Sequence, residues 1–502
     1  MKILFCMFQP GFVRHFRRTI GLLCEQGHTV HIAFHSEKVS AAEWTAEVRD
    51  GRPGVTFSVD APRRKDSWSQ LAMRMRAMRD YGMYFDRRYA HADQMKANAA
   101  RELAETDRVL VDRAARIPGG RRLLDALLNL AELAIPTDPR IDAFLDGEAP
   151  DLVLLTPLVM FNSPQVDIVK SARIRGTPSA LCVASWDNLS NKGMMRELPD
   201  RVMVWNEAQA EEAATLHRMP RDRIVVTGAQ SFDHWFDARP SRSREDFLAE
   251  RGLRPDSDLI LYMCSATSIS PREVELVRIW RDALRAAADP RIAQAALLVR
   301  PHPWNPQPWE EMDDLRQDNL AVWPRDARNP FDPQERRDYF DSIHHASAVV
   351  GLNTSGQIEA GLMGKPVLTI LSEDIPATVR GTADTVHFQH LLQFNGGLLH
   401  VARSFEEHID HLSRAMSGDD GMLDRSRRFT EGFIRPKGLD QPASPLLAEA
   451  ILALAEVTPR RRVLFDALVA PWLRRLMKRI APASGTERQP EDLDHDGAGL
   501  RS

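Results

Sequence analysis

Short apolar runs alternate with stretches of helical periodicity over most of the chain. The first run, ILFCMF (3–8), leads through QPGFVR to Phe16, Ile20 and Leu23, spaced for one helix face, with Gly27 placed to end that helix. TVHIAFH (29–35) reads as a second strand and residues 55–59 as a third. After residue 150 the rhythm resumes, with strands at DLVLLTPL (151–158), SALCVAS (179–185), DRVMVWN (200–206) and RIVVTGA (223–229), and helices near 164–175 and 207–217. A second series follows. Its strands are LILYMCSA (259–266), AALLVRP (295–301), the end of HHASAVVGLNT (344–354) and KPVLTIL (365–371); its helices are 271–287 and SGQIEAGLMG (355–364). Strands separated by helices in this order imply parallel sheets with helices on both faces. The polar FDARPSRSRED (236–246) separates the two series as a linker. The pattern predicts an α/β protein of two Rossmann-like domains, 1–236 and 247–440, facing across a cleft at the carboxyl ends of their strands, where such folds bind ligands.

Two segments break the rhythm. Residues 62–135 are rich in Met, Arg and Ala with helical periodicity and no strand signal, and hold 15 Lys+Arg against 10 Asp+Glu. They read as a locally basic helical insertion in the first domain. Past residue 445 the chain predicts helices to about 480. There Leu464, Leu468, Trp472, Leu476 and Ile480 form one stripe, and Arg460, Arg461, Arg462, Arg474, Arg475, Lys478 and Arg479 surround it against the single Asp466. Such a helix either lies on an anionic membrane surface or packs its stripe on the body. Residues 483–502 are polar and read as a disordered tail.

Composition narrows the classes. At 502 residues the chain is long enough for two full domains, and 43% hydrophobic with 27% charged residues is a globular composition. The net charge of −4 offers no argument for nucleic acid. Cys6, Cys24, Cys182 and Cys264 are scattered, so neither a disulfide scaffold nor a structural zinc site is suggested. The apolar start is too short for a secretory signal and reads as a strand, and no run is long enough to span a bilayer. The expectation is a cytoplasmic protein, peripheral on the inner face of the cytoplasmic membrane if the basic stripe engages lipid.

Three stretches carry candidate chemistry. In LLVRPHPWNP (297–306) two prolines fix the backbone around His302 at a strand end, with Arg300 two residues before it. Rigid His and Arg at a cleft suit a phosphate; the alternative is a histidine bonded to a neighbouring carbonyl. In VVGLNTSGQIEAGLMGKPVLTIL (349–371) a strand delivers Asn353, Thr354, Ser355 and Gly356 to the start of a helix. Thr354 or Ser355 can cap it, its free N–H groups suit an anion, and Glu359 one turn on can accept ribose hydroxyls. The two motifs are expected at adjacent strand ends. In VASWDNLSNKGMMRELPDRVMVWNE (183–207) Trp186, Asn188 and Lys192 suit a sugar and its phosphate, against the alternative of a solvated loop. Asp187 and His15 are the candidates for a general base. Asp494 and Asp496 have the spacing of a metal-binding DxD but lie in the tail, so no metal is expected.

RPHP together with NTSGQIEAGLMGKPVL resembles the C-terminal domain of GT-B-fold glycosyltransferases. The flavour is that of bacterial surface-polysaccharide enzymes of the CDP-glycerol glycerophosphotransferase, polysialyltransferase and capsule Kdo-transferase type. The resemblance covers roughly 150 residues of the C-terminal half. It implies that His302, Pro303, Thr354 and Ser355 grip donor phosphates, that Glu359 is the acidic position of the motif helix, and that the segment 445–457 crosses back to the first domain. Thr354 stands where a strict Ser-Ser pair has its first serine, and no acidic triplet of the polysialyltransferase kind is present. The implied activity is transfer of a sugar or glycerophosphate-like group, from a nucleotide-activated donor to a glycan or lipid-linked acceptor, with no cofactor. A nucleotide-sugar 2-epimerase and a non-catalytic polysaccharide-binding protein remain as alternatives on the same fold.

Overall fold

A computed structural model describes residues 1–36, 45, 48, 54–267, 269–303, 305, 309, 319–326, 332–372, 385–459 and 462–480. The chain forms two compact units: Met1–Asp233, joined by the chain from Phe433 on, and His234–Gly432.

The first unit is built on seven parallel strands: β1 (Lys2–Met7), β2 (Thr29–Phe34), β3 (Val55–Ser58), β4 (Leu152–Thr156), β5 (Ser179–Cys182), β6 (Arg201–Val204) and β7 (Ile224–Val226). Their order is β3-β2-β1-β4-β5-β6-β7. Side chains alternate across a strand, so β1 sends Ile3, Phe5 and Met7 to one core and Leu4 and Cys6 to another on the opposite face. Burial on both faces is why these strands read as unbroken apolar runs. The chain from Phe433 completes the first of these cores. Its helix Ala443–Ala453 inserts Leu447, Ala448 and Ile451 beside Ile3 and Phe5. Asp233 caps that helix, accepting from the N–H groups of Ala443 (2.9 Å) and Ser444 (2.6 Å). Gly228, at φ +89°, permits the close approach, since a Cβ there would lie 2.9 Å from Ala443 Cβ.

Residues 62–135 supply helices Ser69–Met83, Asp93–Arg101, Glu105–Arg116 and Gly120–Ala134. Their basic excess stays at the surface, because, of the insertion's basic residues, only Arg64, Arg76 and Arg79 are buried, and these three are paired. Arg76 is buried and binds both Glu132 and Asp167 (2.9 and 2.8 Å), Arg64 binds Asp167 and Asp66, and Arg79 binds Asp125. Lys170 of the helix Gln165–Arg175 closes the network on Glu132 (2.6 Å). Asp80 pairs with Arg196 where both are buried. A few buried ion pairs thus dock the insertion on the unit's body, while most of its arginines stay exposed.

The second unit carries six parallel strands: β8 (Leu259–Met263), β9 (Ala296–Arg300), β10 (Leu320–Val322), β11 (Ala348–Gly351), β12 (Val367–Ile370) and β13 (Leu399–Ala402), ordered β10-β9-β8-β11-β12-β13. Strands β10 and β13 add to the strands read from the sequence. Residues 236–246 are more than a spacer: Ser241 binds Asp341 through its N–H (2.9 Å) and its hydroxyl (2.6 Å). The core gathers Tyr262, Trp280, Leu297 and Val350, and Trp280 Nε1 donates to His408 Nε2 at 2.9 Å.

Candidate functional site

The strand order of the second unit corrects one expectation. His302 follows β9 and Asn353–Gly356 follow β11, but β8 lies between them, so the two motifs are not on adjacent strands. The end of β8 is the missing middle of the site. Met263 sits against the backbone at Gly356, where an added Cβ would fall 2.1 Å from its Cε. Gly351 is confined less severely, by the Met263 carbonyl 3.0 Å from the Cβ position. The next turn brings Ser265, whose buried hydroxyl accepts from Asn353 N–H (3.2 Å), while Asn353 Nδ2 donates to Thr385 Oγ1 (3.3 Å). Behind Ser265 lies Glu273, buried, accepting from Ser265 N–H (2.7 Å) and Tyr262 Oη (3.2 Å). Burial pushes its carboxyl up to about 8, so it carries a proton at neutral pH. No sequence signal separates this glutamate from its solvated neighbours in PREVEL.

The helix Ser355–Leu362 begins as a capping box. Thr354 Oγ1 accepts from Gly356 N–H (3.4 Å) and Gln357 Oε1 accepts from Thr354 N–H (3.3 Å). The cap is thus Thr354, and Ser355 stands exposed in the first turn. Arg300 points inward: its Nη1 donates to Ser342 Oγ (2.8 Å) and its guanidinium lies 4.9 Å from the Tyr339 ring. Tyr339 in turn donates its hydroxyl to Glu359. Arg300, Tyr339 and Glu359 therefore form one chain of contacts. Burial pulls Arg300 down to about 10, leaving it cationic at neutral pH. His302 is mostly covered, and burial pulls its ring down to about 4. In the free protein it is neutral, so it offers a hydrogen bond and not the positive charge that its sequence context suggested.

In the first unit Asp187 follows β5, and His15 ends the turn Pro10–His15 that follows β1. Strand β4 separates the two. Asp187 is buried and its Oδ2 accepts from Asn191 Nδ2 (3.1 Å). His15 is half-buried, and its Nε2 accepts from Arg14 Nε (3.2 Å). Asn188 is spent on its own loop, accepting from the N–H groups of Ala184 (3.1 Å) and Ser185 (3.2 Å). Trp186 is only 5% exposed, so its ring faces protein and not an open sugar platform. Lys192 is half-buried. The loop is propped by the insertion: Tyr84 Oη donates to Lys192 O (2.9 Å) and Tyr89 Oη to Ser190 O (3.0 Å). This support leaves no trace in the sequence, because Tyr84 and Tyr89 lie about a hundred residues from the carbonyls they hold. Asp494, Asp496, Arg460, Arg461 and the Ile480 side chain, with the tail 483–502, lie outside the described residues.

Two units, each a parallel doubly wound sheet, make this a protein of the GT-B fold class. No protein-family model and no curated protein matches the chain. Solved structures do. A protein of Listeria monocytogenes assigned as a UDP-N-acetylglucosamine 2-epimerase matches at TM-score 0.53 and 13% identity, over 91% of this chain and 98% of that one. The UDP-GlcNAc 2-epimerase of Neisseria meningitidis, bound to UDP-GlcNAc, matches at 0.48 and 12%, over 90% and 100%. WaaG, a glycosyltransferase involved in lipopolysaccharide biosynthesis, matches at 0.46 and 13%, over 91% and 100%. The similarity is one of fold, and the fold is shared by glycosyltransferases and epimerases.

Proposed function

We propose that the protein is a metal-independent glycosyltransferase, moving a sugar or glycerophosphate-like group from a nucleotide-activated donor to a cell-surface polysaccharide or lipid-linked acceptor. The observation that carries the reading is the start of the helix Ser355–Leu362. Gly356 lets Met263 pack against the helix start, Thr354 is committed to the cap, and Ser355 is left exposed in the first turn. A helix start of this kind meets phosphate charge with N–H groups and the positive end of its dipole. His302 adds a hydrogen bond to the departing diphosphate, Asn353 and Arg300 hold the surrounding loops, and Glu359 accepts from the ribose. On the acceptor side Asp187 takes the hydroxyl proton in an inverting transfer, with His15 as the other candidate, while Lys192 meets phosphate and Trp186 and Asn188 shape the loop.

The exposed apolar stripe of the terminal helix supports a site of action on the inner face of the cytoplasmic membrane. Incubation with UDP-, CMP- and CDP-linked donors, with and without a lipid-linked acceptor, tests the reading. Acceptor-dependent nucleotide release supports transfer; isomerisation of the donor without acceptor would make the protein an epimerase, and neither would make it a binding protein. His302→Ala should lower transfer by about 10²-fold, the scale of losing one preorganised donor to developing charge. Near wild-type turnover in that variant rules the phosphate role out.

A further inference from the structure

The helical insertion of the first unit encloses a cavity of about 440 Å³ that the transfer chemistry leaves unused. Met78, Leu124 and Leu128 give it apolar walls. Around it stand four guanidiniums (Arg79, Arg121, Arg122 and Arg218) against two carboxylates, Asp86 and Asp125, an excess of two positive charges. Both carboxylates are already engaged. Asp125 accepts from Arg79 Nε (3.0 Å) and pairs with Arg218, and Asp86 binds Arg88 (2.9 Å). Arg121 donates to Gly82 O (3.4 Å), neither Arg121 nor Arg122 is in an ion pair among the described residues, and Arg122 is exposed. A mostly apolar pocket with a few converging cations is shaped for an amphiphile with an anionic head.

Its surroundings point the same way. The helix that turns Leu124 and Leu128 into the cavity leaves Leu123 (62%) and Leu127 (56%) exposed. The terminal helix Ala470–Ile480 packs beside it, with Arg474 Nε donating to Ala134 O (2.6 Å). The lining also includes Met194, whose N–H is held by Asp80 Oδ1 (2.8 Å). Met194 belongs to the loop that carries Asp187 and Lys192. The cavity is thus lined by the helix that exposes Leu123 and Leu127 and by one residue of the acceptor-side loop.

We infer that this cavity binds the acceptor as a phosphate or diphosphate ester of a long aliphatic alcohol, with the head on Arg121 and Arg122 and the first part of the chain between Met78, Leu124 and Leu128. The acceptor role rests on the transferase reading; the binding does not. Guanidiniums recognise phosphate oxygens in pairs, which an uncharged head cannot reproduce.

Calorimetric titration of the full chain with decyl phosphate below its micelle concentration tests the site, with inorganic phosphate and decyl maltoside as the headgroup-only and uncharged probes. Decyl phosphate should bind at least about tenfold more tightly than either. The double variant Arg121→Ala/Arg122→Ala and the cavity-filling Leu124→Phe should each lose at least about tenfold. Leu464→Ser/Leu468→Ser, on the exposed stripe, should bind as wild type. Equal binding of the maltoside or of phosphate overturns the inference, as does unchanged binding by the double variant. So does a loss confined to the stripe variant, which would place the amphiphile on the terminal helix. A nucleotide that raises the melting temperature of wild type and double variant alike reports on the donor site separately. If no nucleotide does, the transferase reading fails while the decyl phosphate result stands.

Discussion

Glu273 and His302 are both titratable side chains beside the same strand ends, and burial moves them in opposite directions. The carboxyl rises to about 8 and the imidazole falls to about 4, because loss of water penalises the charged form of each. For Glu273 the consequence is a stability that depends on pH. The unfolded chain releases this proton near 4.5 and the folded chain only near 8. The contribution is therefore complete below the lower value and is lost as pH rises through the upper one, by up to about 1.4 kcal/mol per pH unit. Glu273→Gln keeps the neutral, hydrogen-bonding shape and removes the titration. Urea unfolding at pH 5, 6.5 and 8 should show wild type losing stability relative to the variant across that range. Parallel curves for the two proteins would mean that Glu273 is ionised in the fold. Neither residue announces its state in the sequence: RPHP shows a fixed histidine, and only the packing shows a neutral one.

Among elements, the insertion is where sequence and structure diverge most. Helical periodicity was legible over 62–135, and helices are there. The role of its charges was not, because an arginine on a helix reads the same whether its partner is water or a carboxylate some hundred residues away. Asp80 and Arg196 are such a distant pair, buried together, with Asp80 also holding Met194 N–H. Removing one partner leaves a charge without compensation in the interior. Asp80→Ala should cost about 3–5 kcal/mol of stability. Arg108→Ala, at an exposed i,i+3 pair with Glu105, should cost less than about 1 kcal/mol. Denaturant titration of both variants checks the contrast, and similar small losses would mean that the buried pair does not anchor the insertion.

For the whole molecule, no helix among the described residues is long and apolar enough to cross a membrane. The terminal helix instead offers a surface. Leu464 is 76% exposed, Leu468 73% and Trp472 63%, while Ala470 is fully buried against the body. Of the surrounding cations, Arg462 is bound to Glu197 (2.7 Å) and Arg474 to Ala134 O, and Arg475, Lys478 and Arg479 remain exposed. Three such cations near an anionic bilayer contribute on the order of 1 kcal/mol each, added to burial of the stripe. The chain should pellet with anionic vesicles at low salt and release as salt rises, and Leu468→Ser/Trp472→Ser should stay in solution. Equal partitioning of the variant and wild type would assign the stripe another partner.

Local information determined the alternation of strands and helices, the insertion's helical character, the cap at Thr354 as one of two candidates, and the amphipathic tail. Each depends on residues close together in the chain, where periodicity and capping chemistry act. The tertiary structure alone decided that β8 separates the two donor motifs, that Met263 and Ser265 join them, and that the helix Ala443–Ala453 completes the first core. It likewise decided that Arg300 turns inward and that Arg64, Arg76 and Arg79 of the insertion pair with carboxylates in the interior. These are contacts between residues far apart in sequence, set by strand order and by which charges lose their water, and neither leaves a periodic trace in the chain.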